Sequence, residues 1–127
     1  MTQSANLSKF ASFIDSTGAA RNAPRVGTTA SSATITPTID IDDQYSVTAL
    51  AAAATIAAPT GTPVDGQRLT LRLKDNGTAR ALTWNAIYRI IGTTLPTTTV
   101  ASKTTYIGCI YNSTDTKWDV VSVAQEA

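Results

Sequence analysis

Asp40, Asp42 and Asp43 form the densest carboxylate group in the chain, in the run Asp40-Ile41-Asp42-Asp43. Oxygen ligands so close together are the raw material of a Ca²⁺ site or of a general acid–base pair. An EF-type loop starting at Asp40 needs Gly at position 45 and Glu at position 51, where Tyr45 and Ala51 stand instead. The plainer reading is a solvated strand end whose charges discourage wrong edge pairing. A glycosidase pair built on Asp40 and Asp42 would also need Asp115 or Asp119 brought close in space, which spacing alone does not provide. The chain has no His, the commonest general base, so its single Cys109 has no imidazole to activate it. Within the strand-like run Thr104 to Asn112, Cys109 reads as a small buried hydrophobe, and one Cys closes no internal disulfide. No phosphate-binding Gly loop is present. The chain is therefore read as a non-enzyme, with no catalytic residue, metal or cofactor assigned.

Arg68, Arg72 and Lys74 make the one basic stripe, with Thr70 interleaved on the same pleat face. Such a stripe is a solvated face, a set of interface charges for carboxylates of an adjacent strand or subunit, or a seat for an anionic ligand. Nucleic acid is not expected, because the net charge is only +1 and phosphate recognition needs a sustained positive footprint. Trp84, Tyr88, Tyr106, Tyr111 and Trp118 fall in strand-like runs, where aromatic rings usually serve core and interface packing; stacking on apolar sugar faces is the alternative.

The elements that must position these residues are β-strands. Leu69, Leu71 and Leu73 alternate with Arg68, Thr70, Arg72 and Lys74, giving one apolar and one charged pleat face. Asp75-Asn76-Gly77 then breaks the run, and Arg80 to Trp84 resumes it, which predicts a tight hairpin through a type I′ turn with positive φ at Asn76 and Gly77. Further strands are expected at 33–41, 44–50, 67–74, 87–91, 104–112 and 117–123. Asn112 to Thr116 is rich in turn formers and predicts a second hairpin joining the last two. Seven or eight short strands punctuated by Pro and Gly predict an all-β fold, an antiparallel β-sandwich or jelly-roll-like barrel.

Composition divides the chain near residue 32. Residues 1–32 read as an N-terminal arm, with Leu7, Phe10, Ala11 and Ile14 at i, i+3, i+4 and i+7 on one face of a short amphipathic helix and Gly18 available to stop it. The small, polar stretch beyond Gly18 reads as a tether. Leu7, Phe10, Phe13 and Ile14 are the candidate docking residues of that arm, either on its own β-domain or on another subunit. Residues 33–127 read as the β-domain.

At 127 residues the chain has the length of one domain, yet Leu, Ile, Val and Phe supply only 26 positions while Thr supplies 23 and Ala 20. Such a composition favours pleated surfaces and leaves little hydrophobic burial per subunit, so a homo-oligomer, a trimer ahead of a dimer, is expected. The longest Ala- and Thr-dominated stretch, 47–58, is too short to span a membrane, and the N-terminus lacks the basic and apolar pattern of a secretory signal. Assembly in a cytoplasm is the expectation.

The stretch Gly66-Gln67-Arg68-Leu69-Thr70-Leu71-Arg72-Leu73-Lys74-Asp75-Asn76-Gly77-Thr78-Ala79-Arg80-Ala81-Leu82-Thr83-Trp84-Asn85 resembles a β-domain of tailed-bacteriophage virion proteins. Ile87-Tyr88-Arg89, Leu95-Pro96, Tyr111-Asn112 and Lys117-Trp118-Asp119-Val120-Val121 extend the resemblance over about residues 36–125. Asn6 to Ala11, ahead of Ser16-Thr17-Gly18, is similar to the short leader on phage tail and head accessory proteins. The resemblance implies a virion structural protein, foremost a capsid decoration or cement protein that binds the major capsid protein on the outer head and stabilises the shell. A tail or tail-fibre component, acting as an adaptor or a host-glycan-binding module, is the alternative. The chain has a leader and one domain, without the shaft that a long fibre needs.

Overall fold

A computed structural model describes residues 23–127, and all of its regular structure is β. The helix expected in the arm, with Leu7, Phe10, Phe13 and Ile14, lies outside the described residues. The strands are β1 (Val26–Thr29), β2 (Thr34–Ile35), β3 (Gln44–Leu50), β4 (Ala54–Ile56), β5 (Arg68–Asp75), β6 (Leu82–Trp84), β7 (Tyr88–Ile90), β8 (Thr105–Asn112) and β9 (Lys117–Gln125). They form a six-stranded sheet ordered β1-β3-β5-β8-β9-β7 and a three-stranded sheet ordered β2-β4-β6.

The antiparallel sandwich expected from the strand count is corrected by this topology. From β1 to β6 consecutive strands alternate between the two sheets, so β1 lies parallel to β3 and β3 to β5, while β2 lies parallel to β4 and β4 to β6. Each pair β1–β2, β3–β4 and β5–β6 is one rung of a short parallel coil. Rungs stack through their corners as well as their strands. The Ala51 amide donates to Ser31 Oγ at 2.9 Å, the Asn76 amide to the Leu50 carbonyl at 3.1 Å, and Thr38 and Thr60 form a parallel bridge beyond β2 and β4. Antiparallel pairing is confined, among the named strands, to β5–β8 and β8–β9; β7 returns parallel to β9.

The hairpin expected at Asp75-Asn76-Gly77 is the clearest correction. β5 and β6 belong to different sheets, and the tripeptide is a corner of the coil. Gly77 has φ +99°, but Asn76 is not left-handed, so the type I′ geometry is absent. What redirects the chain is Asp75, 3% exposed, whose carboxylate accepts from the Gly77 amide at 2.9 Å, the Ser102 amide at 2.8 Å and the Thr99 hydroxyl at 2.6 Å. The second expected hairpin is present, with β8 paired to β9 from Asn112–Lys117 onward.

Two boundaries also differ. β1 sits at Val26–Thr29, inside the stretch read as tether, and β4 lies in the Ala-rich segment where no strand was expected. Neither carries the alternation of large apolar residues that marks β5; each is held by parallel neighbours.

One apolar core lies between the sheets, built from Ile35, Val47, Leu50, Ile56, Leu69, Leu71, Leu73, Ile107, Trp118 and Val120, all at 1% exposure or less. Two register shifts keep the right residues inward. An extra residue in β3 between Val47 and Leu50 lets both reach the core across an odd spacing, and Val121, unpaired opposite Gly108 and Cys109, moves β9 from Val120 to Val123 on the packed side.

Candidate functional site: the outer face of the six-stranded sheet

Alternation on β5 works as the sequence predicts: Leu69, Leu71 and Leu73 are buried, while Arg68, Thr70, Arg72 and Lys74 face outward. Register then decides their neighbours. Arg72 lies between Ser46 of β3 and Tyr106 of β8, and Thr70 between Gln44 and Gly108. Beyond the paired register, Lys74 and Thr104 line one depression with Arg72 and Tyr106. Gly108, Ser122 and Ala124 keep the β8–β9 side of this face low, so Tyr106 stands above it, 41% exposed.

Depressions flank the Tyr106 ring. One, of about 250 Å³, is lined by Val47, Thr48, Arg72, Lys74, Thr104 and Tyr106. The other, of about 420 Å³, is lined by Thr104, Tyr106, Ala124, Gln125 and Glu126. Glu126 is tied down by the Thr104 amide, which donates to its Oε2 at 3.0 Å; that bond, with the fields of Lys103 and Lys74, holds its carboxyl below the usual range. Arg68 belongs elsewhere. It borders a polar hollow of about 580 Å³ with Pro24, Arg25, Asp43, Gln44, Gln67 and Thr70. The stripe thus divides into Arg72 with Lys74 around Tyr106, and Arg68 beside the start of β1.

None of these three cations pairs with a carboxylate among the described residues, whereas Arg25 and Arg89 do. Arg25 grips Asp43 through Nε at 3.1 Å and Nη2 at 2.7 Å and donates from Nη1 to the Asp40 carbonyl at 2.5 Å. Arg89 takes both oxygens of Asp119, at 2.7 and 2.9 Å, and reaches Asp115 at 2.8 Å. The guanidinium bonds hold the Asp43 and Asp119 carboxyls below their ordinary values.

The acidic run does not converge. Asp40 accepts from the Thr62 amide at 3.1 Å, Asp42 from the Thr38 amide at 2.9 Å and Asp43 from Arg25, so the three carboxylates serve three different partners. Asp115 and Asp119, the other members of the imagined hydrolytic group, are gathered by Arg89 instead. Among the described residues no three His, Cys, Asp or Glu side chains are grouped to hold a metal ion. Cys109 is 2% exposed, and burial pushes its thiol up to about 12, so it packs as the small hydrophobe that its strand position predicts.

The aromatics separate by role. Trp118, Tyr88 and Tyr111 are buried, with Tyr111 and Trp118 rings 5.1 Å apart. Trp84 packs edge-on to Tyr88 at 5.4 Å and donates its indole N–H to the Pro96 carbonyl at 2.7 Å. Tyr106 alone of the five stands on the cationic face. Its pairing with Arg72 was missed in the sequence because it depends on the β5–β8 register across the intervening strands; the only advance signal was its place among the outward residues of β8. Comparison of the chain with protein-family models, with curated proteins and with solved structures finds no match.

Proposed function

We propose that this chain is a structural protein of a tailed-phage virion, a capsid decoration protein whose β-domain sits on the outer head while its N-terminal arm engages neighbouring capsid subunits. The observation that carries this reading is how the arm joins the domain. Arg25, immediately before β1, is held by four of its donors, three to Asp43 and one to the Asp40 carbonyl, so the domain begins at a fixed point at the edge of the larger sheet. A junction held this way fixes where the arm starts on the β-domain. The residues that carry the phage resemblance also form one continuous structural unit: Gly66 to Asn85 spans the third rung with its corner, and Lys117 to Val121 lies in the closing hairpin.

Quantitative mass spectrometry of purified particles, with the major capsid protein as internal standard, tests this. The decoration reading expects high copy number and retention on heads lacking tails. A scarce protein that disappears from tailless particles would replace it with the tail or tail-fibre reading. That second reading draws support from the parallel stacking of rungs, an arrangement that builds elongated shapes by adding one layer to the next.

A further inference from the structure

We propose that the outer face around Tyr106 is a binding site for an acidic saccharide, with a pyranose ring against Tyr106 and its carboxylate on Arg72 and Lys74. Three features of different origin meet there. The first is a half-exposed aromatic ring flanked by depressions of about 250 and 420 Å³, which leaves its surroundings open to a flat ligand. Apolar C–H faces of sugars stack on such rings. The second is a pair of cations that form no ion pair among the described residues, although Arg25 holds one carboxylate closely and Arg89 two; Glu126, tied to the Thr104 amide, acts on Lys74 only through its field. A guanidinium presents two parallel donors that match a carboxylate, and an ammonium two residues along the same face adds a point charge. The third is the hydroxyl pair Thr48 and Thr104, which line the same depression as Arg72 and Lys74 and suit the ring hydroxyls of a sugar.

Each feature alone fits a simpler ligand. Charge alone fits an acidic protein surface, and a lone ring fits any apolar group. The combination favours a ligand that carries an apolar ring face, hydroxyls and an anionic group within one residue, which is the chemistry of a uronic acid unit. β5 pairs on both sides from Thr70 to Leu73, which holds the backbone under Arg72 and Tyr106 in place before a ligand arrives. This inference stands independently of the virion reading, since it concerns the isolated chain.

The test is a titration of the full chain, followed by amide chemical shifts, with tetragalacturonate, neutral maltotetraose and hexaglutamate as probes. The expected result is saturable binding of tetragalacturonate, with shifts centred on Arg72, Lys74, Thr104 and Tyr106, at least tenfold tighter than maltotetraose or hexaglutamate. Tyr106→Ala and Arg72→Gln should each weaken it at least tenfold, while Tyr106→Phe keeps most of the affinity because the ring remains. Arg68→Gln, in the separate hollow, should leave it within twofold. Hexaglutamate binding as tightly as tetragalacturonate would overturn the proposal in favour of an acidic protein partner. Absence of tetragalacturonate shifts on this face, or binding unchanged in Tyr106→Ala, would overturn it outright. The amide spectrum of each variant also reports whether its fold is intact.

Discussion

Asp75 shows how one side chain redirects a chain. Burial alone would raise its pKa, but the donors from Thr99, Ser102 and Gly77 outweigh that and hold the carboxyl below its ordinary 3.8. A group depressed in the folded state contributes stability above its unfolded pKa, and that contribution is lost as pH falls through the lower folded value. Asp75→Ala should therefore cost about 2–3 kcal/mol at neutral pH, since it strands buried donors. Asp75→Asn should cost less, and urea unfolding should show its deficit relative to the native chain shrinking below pH 3.8, toward the folded pKa. A deficit independent of pH would mean that shape rather than charge matters at this corner. Gly77, at φ +99°, belongs to the same turn. Gly77→Val should cost on the order of 1–2 kcal/mol, because a β-branched residue resists that backbone region; the unfolding midpoint in urea checks it.

At the scale of the element, β5 does two jobs with alternate residues. Its inner face supplies Leu69, Leu71 and Leu73 to the core at 1% exposure or less, and its outer face supplies the cations of the candidate site. Leu71→Ala should destabilise by about 2–5 kcal/mol through lost burial and a residual cavity. Arg72→Ala, one residue away, should stay within about 0.5 kcal/mol of the native chain. Paired chemical denaturation of the two variants checks the contrast, and similar losses in both would show that the outer face is structural. The bulge in β9 illustrates the same economy, since Val121 absorbs a change of phase that otherwise would turn Val123 away from the packed side.

For the whole molecule, the start of the β-domain is decided by β1. A Cβ on Gly27 would come within 2.4 Å of the Asp42 carboxylate and 2.8 Å of the Tyr45 ring, so β1 packs tightly on the turn and strand beside it. Removing residues 1–22 should leave the melting temperature within about 2 °C, whereas removing residues 1–30, which takes β1 and the Arg25 clasp, should lower it by at least about 4 °C. Calorimetry of the two truncations checks this, and equal melting temperatures would show that the first rung adds nothing to the coil. The short version should also lose occupancy on particles if Leu7, Phe10 and Ile14 are the anchor. Light scattering of the native chain is expected to give a trimer, and a monomer at micromolar concentration would remove oligomer formation from the proposal.

The alternation in β5, the burial of Cys109 and the β8–β9 hairpin were legible in the residues themselves, because period-two patterning and turn composition act between near neighbours in sequence. The sequence also marked a break after Asp75, with positive φ at Gly77, although it read that break as a hairpin. Apart from the β8–β9 hairpin, which strand lies beside which was decided only in the folded molecule. Asn76-Gly77 marks a reversal whether it closes a hairpin or turns a corner, and the difference rests on Asp75 meeting Thr99 and Ser102 across more than twenty residues. For the same reason the face that joins Tyr106 to Arg72 arose from the antiparallel register of β5 on β8, a long-range pairing that local periodicity does not encode.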